Sequence, residues 1–166
     1  MTKVIEKWWN DCSAGYQRTS NISTKSAHYG PYAPNENKLK LLGNIKGKKI
    51  LEIGCGGGQC SIAFARQGAK CTALDFSMEQ LKYAKNLAIK KKVKIKFIKK
   101  DIQTLKGFKS GYYNIVFSAF ALQYVPDLKK CFKEVSRVLK ENGLFVFSFG
   151  HPFYDNIKTK TMKINN

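Results

Sequence analysis

The 166-residue chain carries 30 lysine and arginine side chains against 11 aspartates and glutamates, which gives a formal net charge of +19. Its length suits one domain that needs no disulfides, its odd number of cysteines favours a reducing, cytoplasmic compartment, and no apolar segment has the length of a signal peptide or membrane helix. Few of the basic residues are arginines, the usual phosphate readers, so the charge permits a nucleic-acid partner without favouring one.

The first 45 residues differ in character from the rest of the chain. Their pattern predicts a helix over residues 3–17, which carries Trp8, Trp9 and Tyr16, and a short helix over residues 35–42. A polar connection containing His28 joins the two helices. The aromatic residues either cover a sheet edge or close over a ligand, and we expect His28 to be structural or part of a lid rather than catalytic.

An apolar strand over residues 50–53 continues directly into a glycine-rich turn and then into a helix over 60–67. Glycine reaches positive φ without strain and has no Cβ, so Gly54 and Gly56 allow a tight turn and the close approach of a ligand. The dinucleotide motif G-x-G-x-x-G needs glycine or alanine where Gln59 stands. A pyrophosphate site, and with it an NAD-linked or nucleotide-sugar enzyme, is therefore disfavoured.

A second apolar strand, over residues 70–74, ends at Asp75. An acid about twenty residues after the first glycine can accept both hydroxyls of a ribose. Glu52 adds a second carboxylate near the same crevice, which repels phosphates and suits a cationic ligand. Ser77 predicts the N-terminus of a helix over 78–90, with Gln80 in the position that completes a capping box.

The rest of the chain continues to alternate strand and helix patterns. We predict strands over residues 93–98, 115–118 and 144–149 and a helix over 128–140. Such alternation indicates an α/β fold whose parallel strands are joined by right-handed crossovers. The lysine-rich strand at 93–98 is expected at an outer edge of the sheet, where charged side chains discourage pairing with other molecules.

Ordered blocks of this sequence resemble the class I S-adenosylmethionine-dependent methyltransferases. Glu52-Ile53-Gly54-Cys55-Gly56-Gly57-Gly58 matches the family motif E/D-x-G-x-G-x-G, and Asp75 matches the acid after its second strand. Later blocks match the third, fourth and fifth strands, so the resemblance extends from about Leu42 to about Pro152. It is to the small-molecule type, the broad group that includes the ubiquinone and menaquinone biosynthesis C-methyltransferases.

The resemblance implies a Rossmann-like, doubly wound parallel sheet with strand order 3-2-1-4-5 and a ligand at the switch point between the first and fourth strands. It divides the chain into an N-terminal helical lid at residues 1–45, a cofactor-binding domain at 46–153 and a short basic tail at 154–166. The family's sixth and seventh strands are absent, so the fifth strand becomes an exposed apolar edge. We expect either a truncated methyltransferase or a partner at that edge, such as the second copy of a homodimer.

The family also implies which residues bind S-adenosylmethionine. A lid tyrosine meets the methionine carboxylate, Asp75 binds the ribose, and Asp101 with the backbone of Ile102 contacts the adenine. The full expected set is Tyr16, Tyr29, Glu52, Gly54, Cys55, Gly56, Gly58, Asp75, Phe76, Asp101, Ile102 and Ser118.

Methyl transfer from a sulfonium mainly requires orientation and desolvation, so few catalytic side chains are needed. His151 is the candidate general base and Tyr124 a candidate for the acceptor pocket, although a surface histidine and a packed loop tyrosine would give the same pattern. No metal site is expected. We therefore expect methyl transfer to an unidentified small molecule; the alternatives are a non-catalytic S-adenosylmethionine-binding module, a truncated methyltransferase and, less favoured, an RNA methyltransferase.

Overall fold

The computed structural model describes residues 3–31 and 33–150, in which helices and strands alternate as the sequence predicts. The helices are α1 (Lys3–Thr19), α2 (Glu36–Leu39), α3 (Gln59–Arg66), α4 (Met78–Lys90) and α5 (Leu128–Val138), with a 3₁₀ helix at Leu122–Tyr124. The strands are β1 (Lys49–Ile53), β2 (Lys70–Asp75), β3 (Lys96–Lys99), β4 (Tyr113–Ala119) and β5 (Leu139–Ser148). Within these residues, no helix combines the length and apolarity needed to cross a membrane.

The strands form one parallel sheet in the order β3-β2-β1-β4-β5, which confirms the predicted topology. β1 is central: its Ile50 pairs with Cys71 of β2 on one side and with Ile115 of β4 on the other. The direction of winding reverses between β1 and β4, which leaves a crevice beyond the carboxyl ends of these two strands. The glycine-rich turn after Ile53 lies at this crevice.

Apolar side chains of the central strands are buried on both faces of the sheet. Ile50 and Phe117 pack with Phe64 of α3 on one face, while Leu51 and Val116 belong to the cluster on the other face. Successive residues of a strand point to opposite faces, so a strand covered by helices on both sides needs a continuous apolar run. The burial of both faces of the sheet by helices therefore explains the continuous apolar runs that predicted these strands.

Helix α1 lies beside the start of α4 and the end of β3. The Ser77 hydroxyl donates to Asn10 Oδ1 (2.7 Å), and Lys99 forms an ion pair with Glu6 (2.7 Å). The α1 residues Ser13 and Gln17 are buried against the domain. The predicted N-terminal helix is thus docked near the carboxyl edge of the sheet.

Ser77 caps α4 as predicted, because its Oγ accepts the Gln80 backbone N–H (3.2 Å). The reciprocal half of the predicted capping box is not formed. The Ser77 N–H instead donates to Asp75 Oδ1 (2.9 Å), which leaves the Gln80 side chain to bond elsewhere.

Most element boundaries lie within two residues of the sequence prediction, and the larger differences are at α2, β3 and β5. Helix α2 ends at Leu39 because Lys40 adopts a left-handed conformation (φ 53°). β3 is shorter than predicted, and β5 begins at Leu139, directly after α5. Between Tyr113↔Leu139 and Ile115↔Leu144 the β4–β5 register shifts, and the extra residues are accommodated where Asn142 adopts positive φ (56°), which asparagine tolerates.

Candidate functional site

A cavity in the described part of the chain opens at the carboxyl ends of β1, β2 and β4. It contains about 680 Å³ of space between the surrounding atoms, part of it open to solvent. The strand ends and the glycine-rich turn form one wall, while α1 and the segment that follows it form another. This position is the switch point at which doubly wound sheets bind ligands.

The glycine-rich turn is shaped by contacts on both of its sides. The N–H groups of Gly54 and Cys55 both donate to the Leu74 carbonyl (2.8 and 2.9 Å), which ties the turn to β2. A Cβ on Gly54 would lie 2.3 Å from Cβ of Ala121, so the loop after β4 can approach only a glycine there. A Cβ on Gly56 would meet only Gln80 Oε1, at 3.8 Å, so the space beside Gly56 belongs to the cavity.

Asp75 lines the cavity at the end of β2 and is buried. Its Oδ2 accepts the Gly56 N–H (2.8 Å) and its Oδ1 accepts the Ser77 N–H (2.9 Å). Burial raises the pKa of the carboxyl above its usual value, and these backbone hydrogen bonds oppose the shift. Each carboxylate oxygen keeps a lone pair, so the group can still accept hydrogen bonds from a bound hydroxyl.

Glu52 is buried at the end of β1 and also lines the cavity. Its Oε2 accepts both the backbone N–H (2.9 Å) and the hydroxyl of Ser61, whereas Oε1 has no partner among the described residues. Burial raises the pKa of the Glu52 carboxyl to about 7, and the Ser61 hydrogen bonds lessen the rise. A cation beside Oε1 would stabilise the ionised form, so this wall favours positively charged ligand groups.

The opposite wall is largely aromatic. Trp9 of α1 makes edge-to-face contacts with Tyr16 (5.3 Å between ring centroids) and with Tyr124 of the 3₁₀ helix (5.7 Å). Phe120 adopts positive φ (55°), which is unusual for an aromatic residue, and its ring fills the space where a Cβ on Gly30 would lie, 2.3 Å from Cε2. The N-terminal segment and the loop after β4 are therefore interlocked around the cavity.

His28 also lines this wall. Burial lowers the pKa of its imidazole below the usual value, so the ring is neutral at pH 7. The expectation that it is structural or part of the lid fits its position only in part, because it faces the cavity.

The structure gathers most of the predicted ligand-binding residues around the cavity. Those that line it are Tyr16, Glu52, Gly54, Cys55, Gly56, Asp75, Phe76 and Ile102, together with Tyr124. Four others do not line it: Tyr29, Gly58, Asp101 and Ser118. His151 lies outside the described residues.

Each of those four residues has a local explanation. The Tyr29 hydroxyl donates to Glu36 Oε2 (2.5 Å) and its ring packs against Phe117 in the core. Gly58 caps α3 in a left-handed conformation (φ 74°), and a Cβ there would press on Ala84 at 3.0 Å.

Asp101 lies in a shallow neighbouring depression that shares Phe76 with the cavity, and it accepts the Gln103 N–H (2.8 Å). Ser118 is buried in β4, and its hydroxyl has no hydrogen-bond partner among the residues that the structure describes. Both residues are therefore close to the site in the fold without lining the cavity.

Several cavity residues were not in the predicted binding set. They include the glutamines Gln17, Gln59 and Gln80 and the loop residues Ala119, Phe120 and Ala121. The capping position predicted for Gln80 indicated a different role. No group of three or more histidine, cysteine or acidic side chains in the described ranges could hold a metal ion.

Comparisons with known proteins agree with this geometry. The family described as "Methyltransferase domain" matches residues 51–147, more than half of the chain. A ubiquinone biosynthesis O-methyltransferase of Escherichia coli O7:K1 is 31% identical over 145 residues, which cover 87% of this chain and 57% of the relative. The chain thus spans little more than half the length of the curated relatives it matches.

Solved structures show the same fold. An S-adenosylmethionine-dependent methyltransferase from Mesorhizobium loti superposes with a TM-score of 0.64 at 29% identity, covering 69% of this chain and 52% of that one. The [4+2]-cyclase SpnF superposes with a TM-score of 0.68 at 19% identity, covering 86% and 58%. The second likeness concerns the fold alone, since one fold can carry unrelated chemistry.

Proposed function

The chain belongs to the methyltransferase domain family, and from this membership and the cavity we propose that it binds S-adenosylmethionine and transfers the methyl group to a small-molecule acceptor. The observation that carries the proposal is the pair of buried carboxylates, Glu52 and Asp75, at the ends of neighbouring strands around the Gly54–Gly56 turn. Two carboxylates repel a phosphate but suit a ligand with an amino group and ribose hydroxyls.

The residues present fit S-adenosylmethionine. Glu52 offers an unpartnered Oε1 to the amino group, and Asp75 offers lone pairs to the ribose hydroxyls. Gly56 leaves open space beside the backbone, and the side chains of Phe76 and Ile102 can flank the adenine. Tyr16, Gly54 and Cys55 complete the proposed binding set.

The expected binding residues that do not line the cavity have different roles in this proposal. Asp101 remains the candidate for the adenine amino group, because its depression adjoins the cavity at Phe76. Tyr29, Gly58 and Ser118 would act indirectly, through packing around the site. His151 keeps its place as a sequence-based candidate base.

The cofactor supplies a methyl group that its sulfonium already activates. The chain's own residues therefore need to hold the acceptor in line, exclude water and accept any proton the acceptor loses. The neutral His28 imidazole faces the cavity and can accept such a proton, while Trp9 and Tyr124 form an apolar aromatic surface suited to a flat acceptor. The relative's name, an O-methyltransferase, favours a hydroxyl group as the acceptor.

Binding and turnover can be tested separately. Calorimetry with S-adenosylmethionine and S-adenosylhomocysteine should give saturable binding at one site, and tritium from the labelled methyl group should appear in hydroxylated aromatic compounds. Absence of binding to either ligand would refute the proposed function. Binding without transfer to any acceptor would favour the second candidate, a non-catalytic binding module. This candidate is supported by the partial coverage of the relatives, since the match spans 57% of the relative's length.

We further infer a cytoplasmic location and a homodimer formed through β5. The cysteines, all of them free thiols, support a reducing compartment. β5 is the edge strand of the described sheet. Its Phe147 and the following Phe149, 40% and 51% exposed, form an aromatic face with Phe132 of α5. An open strand edge beside exposed rings favours pairing with another strand.

The homodimer is testable by sedimentation velocity at micromolar concentration. Phe147→Lys should convert a dimer to a monomer, because a charged edge discourages pairing. Ile89→Lys is the matched control, since Ile89 is an exposed apolar residue on α4. A monomeric wild type, or equal behaviour of the two variants, would contradict the β5 interface.

A further inference from the structure

Three buried glutamines link the lid helix α1 to the cavity. Gln17 Nε2 donates to Gln80 Oε1 (2.8 Å), and Gln59 Nε2 donates to Gln17 Oε1 (2.6 Å). The side chains come from α1, α3 and α4, all line the cavity, and all are buried. A continuous chain of side-chain amides therefore joins the lid helix α1 to α3, which follows the glycine-rich turn, and to α4, which follows Asp75.

The amide chain is incomplete at its Gln80 end. Gln80 Nε2 is buried and has no hydrogen-bond partner in the described structure. Reversing all three amides would keep both hydrogen bonds and leave an unpaired oxygen in the same place, so an unpaired polar atom remains in either orientation. Buried polar groups of native proteins are nearly always paired, so this exception needs an explanation.

The Gln80 amide lies beside Gly56, whose N–H binds the carboxylate proposed to bind ribose. Asp75 Oδ2 accepts the Gly56 N–H (2.8 Å), and a Cβ on the same Gly56 would lie 3.8 Å from Gln80 Oε1. A hydroxyl is both a donor and an acceptor, so it can donate to Asp75 and at the same time accept from Gln80. This wall thus offers complementary groups to one hydroxyl.

We propose that Gln80 hydrogen-bonds a ribose hydroxyl of the bound cofactor and that Gln17 holds the Gln80 amide for this contact. The inference rests on the proposed function, because it assigns a further contact within the same site. Gln80 is then a cofactor-binding residue, and Gln17, which acts through Gln80, is a positioning residue.

The same contact couples the ligand to α1. Gln80 Nε2 is shielded from solvent, so the amide must turn toward the cavity to meet a hydroxyl, and its hydrogen-bonded partner Gln17 moves with α1. Gln17 is itself tightly seated, because a Cβ on Gly57 would lie 2.6 Å from its amide atoms. Binding of the ribose therefore changes the position of the lid helix.

Calorimetric titration of two ligands tests the contact. S-adenosylhomocysteine carries the ribose hydroxyls, and its 2′,3′-dideoxyribose analogue does not. Gln80→Met should bind S-adenosylhomocysteine about three- to tenfold more weakly than wild type does, which is the effect of one neutral hydrogen bond. It should bind the dideoxyribose analogue as well as wild type does. Gln67→Met is the matched control, because Gln67 follows α3, bonds to the Ala63 carbonyl and does not line the cavity.

Intrinsic fluorescence tests the coupling to the lid. Both tryptophans of the chain, Trp8 and Trp9, lie in α1, and Trp9 also lines the cavity, so their emission reports on this helix and on its contact with the ligand. Wild type should change emission on binding S-adenosylhomocysteine, and Gln17→Met should show a smaller change at saturation. No change in wild type would refute the coupling.

The outcomes separate this inference from the proposed function. No binding of S-adenosylhomocysteine by wild type would refute both. Wild-type binding with the same affinity in Gln80→Met, or an equal loss for both ligands, would refute the Gln80 contact alone. Circular dichroism checks the fold of each variant, and Gln80→Asn, which withdraws the amide by one methylene, replaces the methionine variant if that one unfolds.

Discussion

Acidification should weaken S-adenosylmethionine binding through the protonation of Glu52. The free protein holds this carboxyl with a pKa of about 7, and a bound cation requires its ionised form. The ionised fraction falls from about one half at pH 7 to about 3% at pH 5.5, so affinity should fall about fifteenfold, or about 1.6 kcal/mol. The ligand's α-amino group stays protonated over this range and contributes no slope of its own.

Calorimetry with S-adenosylhomocysteine between pH 5.5 and 7 measures this slope. Glu52→Gln keeps an oxygen that can accept both Ser61 hydrogen bonds but removes the charge, so its binding should be weaker than that of wild type at pH 7 and flatter with pH. His28 faces the same cavity, and His28→Gln controls for its titration. A wild-type affinity that is constant over this range, or an equal slope in Glu52→Gln, would refute the assignment of Glu52.

The same shift predicts the opposite pH dependence for folding. The folded-state pKa of Glu52 is raised from 4.5 to about 7, so its contribution to stability is fully present below pH 4.5 and is lost as pH rises through 7. Over this pH range the stabilising contribution of Glu52 falls by about 3 kcal/mol. Denaturant titrations of Glu52→Gln should lack this part of the pH dependence.

Four substitutions test the remaining assignments. Asp75→Ala should reduce the calorimetric affinity for S-adenosylhomocysteine by about 1.5–3 kcal/mol, since it removes a charged hydrogen-bonding group, and an unchanged affinity would contradict the ribose contact. Gly56→Val should block binding in a domain that still folds, although φ of +49° strains any side chain there, whereas Gly58→Val should lower the melting temperature further, because a Cβ at 58 (φ +74°) also meets Ala84 and Phe97; the reverse pattern would place the ligand elsewhere. His28→Gln should lower kcat but not cofactor affinity, and an unaltered pH–rate profile would exclude His28 as the base.

The sheet and the strand-end part of the site were predictable because their signals are local. Helix α4 has the bounds that the pattern after Ser77 predicted, and the capping hydroxyl bonds within its own first turn. Glu52 and Asp75 follow apolar runs, and the parallel topology brings the ends of such runs to the same edge.

Tyr16 and Tyr124 were expected on the lid side of the site, but the contacts that hold this side together were not predictable, because they join distant residues. Gln17 bonds to a residue 63 positions away, and no pattern around it distinguishes it from a surface glutamine. The positive φ of Phe120 is stabilised by the open space at Gly30, which only the folded chain places beside it. Tyr29 was predicted to bind the cofactor but does not line the cavity. Its hydroxyl donates to Glu36, which holds the side chain in the core, although other residues of the same N-terminal segment reach the cavity.

The charge of the chain and the charge of its cavity point to different partners. The chain carries a formal net charge of +19, yet the described residues that line the cavity include two buried carboxylates and no lysine or arginine. Surface charges farther than about 8 Å from a ligand are largely screened at physiological salt, whereas a carboxylate in contact with it inside a dry cavity is not. We therefore expect Glu52 and Asp75 to decide recognition in the cavity and to select against phosphates, however strongly the lysine-rich surface attracts them.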